Sequence, residues 1–242
     1  MNEIIITIDV DWASDPAIQA VSNILRYYKI KSTWFVTHNS EAIDSLKVEN
    51  GLFELGIHPN FMPGSSHGES IQSVISSLLE IVPNAISMRS HAVYQSSPLL
   101  AEIVRETPIK IDSTLFLPEM PNIVPVRHLT PYGALVRLPF FWADDYELLK
   151  EKPLWNFNRF IDIPGIKVLM FHPIHIALNS NSMEIYNKYK TNNMRSCKSD
   201  SQTIMDSIMN STTGVASFFM EAIKYLNSFG LANKHIKDFK ST

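Results

Sequence analysis

Short apolar runs alternate along this chain with segments of helical periodicity. Runs typical of buried strands occupy residues 3–8, 32–37, 52–58, 85–90, 109–115, 134–141 and 165–172. Apolar residues at three- and four-residue spacing predict helices over residues 14–28, 39–47, 69–82, 97–106 and 213–229. Strands that alternate with helices indicate βαβ units and a mainly parallel sheet.

Capping and turn residues set the expected ends of these elements. Ser14 or Asp15 is predicted to cap the first helix, and Pro16 suits its first helical position. Gly230 is predicted to cap the final helix. The Pro-rich stretch 118–131 is predicted to be a crossing loop. The final helix is expected to bury Val215, Phe218, Phe219, Ala222, Ile223, Leu226 and Phe229.

About seven strands can be counted, and no break in composition divides the chain. We therefore predict one α/β domain over residues 1–242. A single (β/α) barrel is favoured, with an open sheet as the alternative that the pattern leaves open. In both architectures ligands bind at the carboxyl ends of the strands.

Composition narrows the classes of function. The 21 basic and 24 acidic residues give a net charge of −3, which argues against a nucleic-acid surface. The one cysteine, Cys197, excludes an intrachain disulfide framework. Neither a secretion signal nor an apolar run of membrane-spanning length is found, so we expect a soluble cytoplasmic protein. The oligomeric state is left open.

Two acids, Asp9 and Asp11, follow the first apolar run at i, i+2 spacing, which places them on one face of a strand. Two ionised carboxylates this close repel each other unless a cation or an arginine neutralises them. Asp11 as a metal ligand and Asp9 as a base held by Arg89 would resolve the repulsion. The alternative is that Asp11 only caps the next helix, for which Ser14 and Asp15 are better placed.

Further polar residues follow the other strands at the same predicted rim. His58 at a strand end is a candidate nitrogen ligand for zinc beside Asp11, although a lone histidine more often only forms hydrogen bonds. Arg89 in an apolar strand needs an acid partner. The remaining residues placed at this rim are His91, Asp112, Asp144, Asp145, His172 and His175.

Histidines near the last strand are candidates for proton transfer. His172 ends that strand, and His175 lies just beyond it, so either imidazole can serve as a general acid, with a structural role as the alternative for His175. Trp142 and Asp145 are candidate substrate-binding residues, with Phe141 beside them. Core packing is the more frequent use of such aromatic residues.

The segments "TIDVDW", "ELGIHP", "MRSH", "DST", "FFWADD" and "FHPIH" occur in the order of the motifs of a known family. Over residues 3–176 the chain resembles the polysaccharide deacetylases with NodB-like homology, the carbohydrate esterase family 4 type. It looks nearest to the WbmS-like group associated with surface-polysaccharide biosynthesis.

This resemblance implies a distorted (β/α)7 barrel that removes acetyl groups from N-acetylated sugars with a divalent metal. Zinc is the expected ion, with cobalt, nickel or manganese as alternatives. The family pattern matches Asp9 as base, Asp11 and His58 as metal ligands, Arg89 as the partner of Asp9, and His172 as general acid. His91 and His175 are further catalytic candidates.

The chain departs from the family pattern at Met62, where a second ligand histidine is usual. His67 in the following loop, or His91 after Arg89, is the candidate replacement. The usual Pro and Tyr of the third motif are His91 and Ala92 here. If neither histidine reaches, the metal site is weak or lost.

Other functions remain open from the sequence. Loss of the ligand at Met62 would suit a catalytically impaired protein that binds sugar or supports a partner enzyme. The Asp-x-Asp after the first strand also suits a haloacid-dehalogenase-type phosphatase, which would leave His58, His91 and His172 without a role. For a deacetylase the expected substrate is a nucleotide-linked or lipid-linked sugar, with no nucleic-acid partner.

Overall fold

A computed structural model of the chain describes residues 2–193, 213–229 and 233–239. The described residues contain one nine-stranded curled sheet in the order β6, β7, β5, β4, β3, β2, β1, β9, β8. The strands are β1 Asn2–Asp9, β2 Ser32–Val36, β3 Phe53–Ile57, β4 Ser87–Met88, β5 Ile111–Asp112, β6 Val126–Thr130, β7 Gly133–Arg137, β8 Trp142–Ala143 and β9 Gly165–Phe171.

The stretch 133–143 closes this sheet into a distorted barrel. Its first part, β7, pairs with β5, and its last part, β8, pairs with β9, both in parallel. Between them, backbone bonds join Leu138 to Asp112 and Phe141 to Val168. With β7 and β8 counted as one strand, seven parallel strands form the barrel in the described part of the chain. The predicted α/β barrel is confirmed, and the open sheet is not.

Strand β1 lies between β2 and β9, and all three run parallel. Because parallel strands share one direction, the carboxyl ends of β1, β3, β4 and β9 meet at one mouth of the barrel. This is the edge at which α/β proteins bind ligands.

Helices cover the outside of the barrel. They are α1 Asp15–Tyr28, α2 Glu41–Lys47, α3 Ile71–Ile81, α4 Ser97–Glu106, α5 Asp144–Leu148, α6 Pro173–Ala177, α7 Met183–Asn193 and α8 Val215–Ser228, with 3-10 turns at His91–Val93, Phe157–Phe160 and Ile236–Phe239. Helix α1 begins after Ser14 with a proline in its first turn, as predicted. Within the described parts of the chain, every helix is too short or too polar to cross a bilayer.

The core has two parts because successive strand residues face opposite sides of the sheet. Inside the barrel, Ile5, Val168 and Phe140 pack with Ile236 and others. Outside it, the helices pack on the opposite faces of the strands. Every residue of α8 that was expected to be buried is buried.

Residues 126–130 and Phe229 differ from the sequence predictions. Residues 126–130 are not a crossing loop: they form β6, which pairs antiparallel with β7 in a hairpin. Its alternating pattern is weak because Val126 and Leu129 are exposed on this edge strand. Phe229 was expected to be buried, but it follows the end of α8 and is exposed. Gly230 and Cys197 lie outside the described residues.

Close packing at Gly56 in β3 gives a test of the barrel. A Cβ there would lie 2.6 Å from Ser87 Oγ and 2.9 Å from Phe35 Cδ1. Both neighbours are buried, so Gly56→Ala is expected to lower the free energy of unfolding by about 1–3 kcal/mol. Urea denaturation measures the loss. Gly51→Ala is the control, because nothing lies within 4 Å of its Cβ position, and equal effects of the two variants would contradict the packing.

Candidate active site

Arg89 holds Asp9 inside the mouth of the barrel. Its Nη1 donates to Asp9 Oδ1 at 2.8 Å and to Thr7 Oγ1 at 2.9 Å. Its Nε and Nη2 donate to the carbonyl and the hydroxyl of Ser113, both at 3.0 Å. These bonds orient the carboxylate of Asp9 with one oxygen on the guanidinium. The second oxygen, Oδ2, lies 3.9 Å from His58 Nε2 and faces the other polar side chains.

The guanidinium of Arg89 is also enclosed by two aromatic rings. Its Cζ lies 4.6 Å from the centre of the Phe35 ring and 4.9 Å from that of Phe140. An arginine that is 1% exposed must be paired, since an isolated buried charge is very costly. The pair holds the Asp9 carboxylate at one position.

Asp11 lies at the centre of a group of imidazoles. Its Oδ1 is 3.0 Å from both His58 Nε2 and His91 Nδ1, and its Oδ2 is 3.4 Å from His172 Nε2. Burial opposes the charge of Asp11, but hydrogen bonds with His172, His58 and His91 outweigh it and hold the pKa of Asp11 well below its usual range. The same bond to Asp11 raises the pKa of His91.

Asp11 reaches this position by a different route from the one that its spacing suggests. Strand β1 ends at Asp9, and Asp11 and Trp12 have φ values of 43° and 55°. A turn, not strand alternation, therefore directs Asp11 to the mouth. Ala92 and Val93 on the opposite wall also have positive φ, and such sparsely populated conformations often lie at functional sites. Asp11 does not cap α1.

His172 is held by Asp144, the first residue of α5. His172 Nδ1 lies 2.6 Å from Asp144 Oδ1, and the His172 backbone N–H donates to Asp144 Oδ2 at 2.7 Å. Burial by itself would lower the pKa of His172, but the carboxylates of Asp144 and Asp11 raise it well above its ordinary value. The two carboxylates therefore favour the protonated imidazole, whose Nε2 points to the mouth.

His175 lies behind His172 and outside the residues that line the cavity. The two rings are 5.5 Å apart, and His175 Nδ1 lies 3.3 Å from Ser180 Oγ. Burial lowers the pKa of His175 to about 4, so this ring is neutral at pH 7. The arrangement supports a positioning role for His175 and does not bring it to the cavity.

A cavity of about 210 Å³ lies over these groups. Asp145 and Phe140 lie on the wall of this cavity. Burial raises the pKa of Asp145. The complete lining is Asp9, Asp11, His58, Arg89, Ser90, His91, Ala92, Val93, Phe140, Asp145, Met170 and His172.

Of the two candidates for the missing ligand, the structure brings only His91 to Asp11. His67 Nε2 lies 2.7 Å from the Thr37 carbonyl, and its Nδ1 accepts from the Asn60 backbone N–H at 3.1 Å. Both ring nitrogens of His67 are therefore engaged with backbone. Met62 itself is 43% exposed.

The substrate-binding candidate Trp142 and the predicted rim residue Asp112 both lie away from the cavity. Trp142 was a candidate for substrate binding, but it is buried in the core, stacked on Phe218 at 4.1 Å, with its N–H donating to Glu147. A side chain on β8 that faces the helices cannot meet substrate. Asp112 pairs with Arg137 at 2.8 Å and takes no part in the cavity.

Three contributors to the site were given no role from sequence. Asp144 was placed at the rim, but its bond to His172 joins residues 28 apart, which no local pattern predicts. Thr7 and Ser113 position Arg89 from separate strands. Thr7 stands two residues before Asp9, so the alternation of β1 was the one available signal that it shares the face of Asp9.

The side chains of Asp11, His58 and His91 can hold a metal ion. Each offers one ligand atom, and the three atoms lie within 4.8 Å of one another. One carboxylate and two imidazoles suit zinc and similar divalent ions. A second group, Asp144, His172 and His175, meets the same distance limit, but its carboxylate already binds His172.

Comparison with known proteins agrees with the fold and with the order of motifs. A family model described as "WbmS-like: Polysaccharide deacetylase" matches residues 6–190. The crystal structure of WbmS from Bordetella bronchiseptica, described as a polysaccharide deacetylase involved in O-antigen biosynthesis, is 30% identical. It superimposes with a TM-score of 0.77 over 92% of this chain and 90% of that one. No curated protein sequence matches.

More distant structures share the fold alone. The peptidoglycan deacetylase PdaC from Bacillus subtilis is 12% identical, with a TM-score of 0.52 over 99% of this chain and 90% of its own. A carbohydrate esterase family 4 pseudoenzyme from Bacillus anthracis is also 12% identical, with a TM-score of 0.50 over 98% of this chain and 65% of that one. Because the WbmS-like model matches most of the sequence, this chain belongs to the WbmS-like polysaccharide deacetylase family.

Proposed function

We propose that this protein is a metal-dependent hydrolase that removes an acetyl group from an N-acetylated sugar in surface-polysaccharide biosynthesis. The observation that carries the proposal is the convergence of Asp11 with three imidazoles beside the Asp9–Arg89 pair. The family membership and the 30% identity to WbmS support the same reaction class. We also propose that residues 1–242 form one domain.

In the proposed mechanism Asp11, His58 and His91 would hold a divalent ion, and zinc is the proposed ion. At this place a bound ion would supply positive charge, which polarises a carbonyl group and makes water more acidic. Asp9 accepts the proton of the attacking water at Oδ2, the oxygen that Arg89 leaves free. Arg89 holds the Asp9 carboxylate in place, so the base needs no reorientation during the reaction.

His172 is the proposed general acid. Its Nδ1 is bound to Asp144, so its Nε2 is the nitrogen that can donate a proton to the leaving amine. The raised pKa of His172 favours the protonated ring that this role needs. Asp145, on the cavity wall, is the proposed acceptor for a sugar hydroxyl.

Asp144→Asn tests the assignment of the acid through the pH profile. His172 must be protonated to act, so activity is present below its raised pKa and is lost as the pH rises through it. Removal of the Asp144 charge lowers that pKa, so the alkaline limb of kcat/KM is expected to move to lower pH, with a loss of about 10- to 100-fold in rate. An alkaline limb that stays in place would exclude His172 as the acid.

Release of acetate from N-acetylated monosaccharides, oligosaccharides and nucleotide-linked sugars tests the function itself. The zinc-loaded protein is expected to release acetate, a chelator to stop the release, and zinc to restore it. Stoichiometric zinc with no acetate from any of these sugars would favour the accessory sugar-binding alternative. Magnesium-dependent release of phosphate would favour the phosphatase, for which the family membership gives no support.

A further inference from the structure

Trp12 is an exposed indole directly beside the candidate active site. It follows Asp11 in sequence, it is 41% exposed, and its ring lies 5.3 Å from the ring of His91, edge to face. Most large aromatic side chains of this protein are buried, including Trp34 and Trp142. Trp12 therefore presents its indole to a ligand at the mouth, whereas the indoles of Trp34 and Trp142 are enclosed in the core.

The backbone holds Trp12 in an unfavourable conformation. Its φ of 55° lies in the left-handed region, which a bulky residue rarely adopts. The Trp12 N–H donates to Thr37 Oγ1 at 3.0 Å, which fixes this turn. Such a conformation persists only where the surroundings enforce it, and it often lies at a functional site.

His67 supports the indole from the other side. The two rings are stacked, with centroids 5.5 Å apart and planes 26° apart. Because Thr37 and Asn60 engage both nitrogens of His67, its ring cannot rotate freely. The loop histidine that does not reach the metal ligands thus fixes the orientation of Trp12.

The cavity itself is too small for a whole sugar derivative. Its volume of about 210 Å³ is below the roughly 300–1,000 Å³ of pockets that enclose a drug-sized ligand. An oligosaccharide or a nucleotide-linked sugar that places its acetyl group in the cavity therefore extends onto the rim. Trp12 is outside the cavity lining, but it contacts His91, which is part of that lining.

We propose that Trp12, fixed by His67, is the surface on which the apolar face of the substrate's sugar ring stacks while its acetyl group enters the cavity. The inference rests on the proposed deacetylase function and names its recognition element. Trp12 is a specificity residue, and His67 is a positioning residue. Aromatic side chains suit this use because they give a large, rigid apolar contact.

Calorimetric titration of the zinc-loaded Asp9→Asn variant, which does not consume its ligand, tests the stacking. The probes are N-acetylglucosamine, N-acetylgalactosamine and N-acetylchitotriose at up to millimolar concentration. Adding Trp12→Ala is expected to raise the Kd by about 10-fold or more, and Trp12→Phe by less than about 3-fold. Tyr27→Ala is the matched control, because Tyr27 is 80% exposed on α1. No binding of any probe, or a Kd that Trp12→Ala leaves unchanged, would overturn the proposal.

His67→Ala tests the positioning role by a separate readout. Acrylamide quenching of the Trp12 fluorescence, taken as the difference from the Trp12→Phe protein, is expected to increase. The Kd for the probe that binds is expected to rise about 3-fold or more, whereas zinc affinity stays within about 3-fold. Unchanged quenching and Kd would exclude His67 from this role.

The outcomes also separate this inference from the proposed function. Acetate release by the wild-type protein, together with a Kd that does not depend on Trp12, would remove the stacking surface and keep the deacetylase. Trp12-dependent binding without acetate release would keep the stacking surface and remove the deacetylase.

Discussion

Replacing Asp9 with Asn is expected to lower kcat by about 10²- to 10⁴-fold, the usual contribution of a general base. The amide keeps the shape of the carboxylate and can still accept a bond from Arg89. It cannot take a proton from water. The zinc content of the variant should equal that of the wild type, because the proposed ligands are Asp11, His58 and His91.

The same variant should also be less stable. Asn leaves the charge of Arg89 without its counter-charge in a site that is 1% exposed. Removal of one partner of a buried ion pair lowers the free energy of unfolding by up to about 3–5 kcal/mol. Because Arg89 keeps its hydrogen bonds to Thr7 and Ser113, we expect a smaller decrease here. Steady-state kinetics, metal analysis and urea denaturation measure the three effects. Asp44→Asn on the exposed surface of α2 is the control, and full activity of Asp9→Asn would exclude Asp9 as the base.

Replacing His91 with Ala is expected to weaken zinc binding by more than about 100-fold, because loss of a direct ligand should exceed the roughly 10- to 100-fold cost of losing an outer hydrogen-bond partner. His67→Ala is the matched control: it removes an imidazole from the same mouth, but one whose nitrogens bind backbone atoms. Competition with a chromophoric chelator measures both affinities. A larger loss in His67→Ala than in His91→Ala would reverse the assignment of the third ligand.

This pair of variants addresses the departure of the chain from its family at Met62. The sequence favours His67 as the third metal ligand, with His91, two residues after Arg89, as the other candidate. The structure separates them through tertiary contacts: the loop around His67 folds back onto Thr37, whereas the 3-10 turn at His91–Val93 brings Nδ1 of His91 to Asp11. A replacement from another strand end keeps the donor set of one carboxylate and two imidazoles.

Periodicity predicted the barrel well because its strands are buried on both faces and its helices have clear apolar faces. The seven runs that were counted from sequence correspond to the seven parallel strands, with β7 and β8 continuous. The edge strand β6 was missed because its side chains are largely exposed, so burial imposes no strict alternation on them.

The site was partly predictable for a related reason. Residues at the carboxyl ends of parallel strands, such as Asp9, His58 and His172, meet at one mouth of the barrel regardless of the paths of the loops. Contacts that depend on the path of a loop or on a partner far away in sequence were not predictable. Asp144 beside His172 and Trp12 against His67 are of this kind. The prediction that Trp142 binds substrate was wrong, because the sequence does not show which face of β8 its side chain occupies.

The proposed function depends on one divalent ion bound between Asp11, His58 and His91 at the mouth of the barrel. A crystal structure of the zinc-loaded protein, with anomalous data at the zinc edge, tests it most directly. We expect zinc about 2.0–2.2 Å from a carboxylate oxygen of Asp11, from His58 Nε2 and from His91 Nδ1. Zinc bound through other side chains, or no zinc at this mouth at saturating concentration, would contradict the claim.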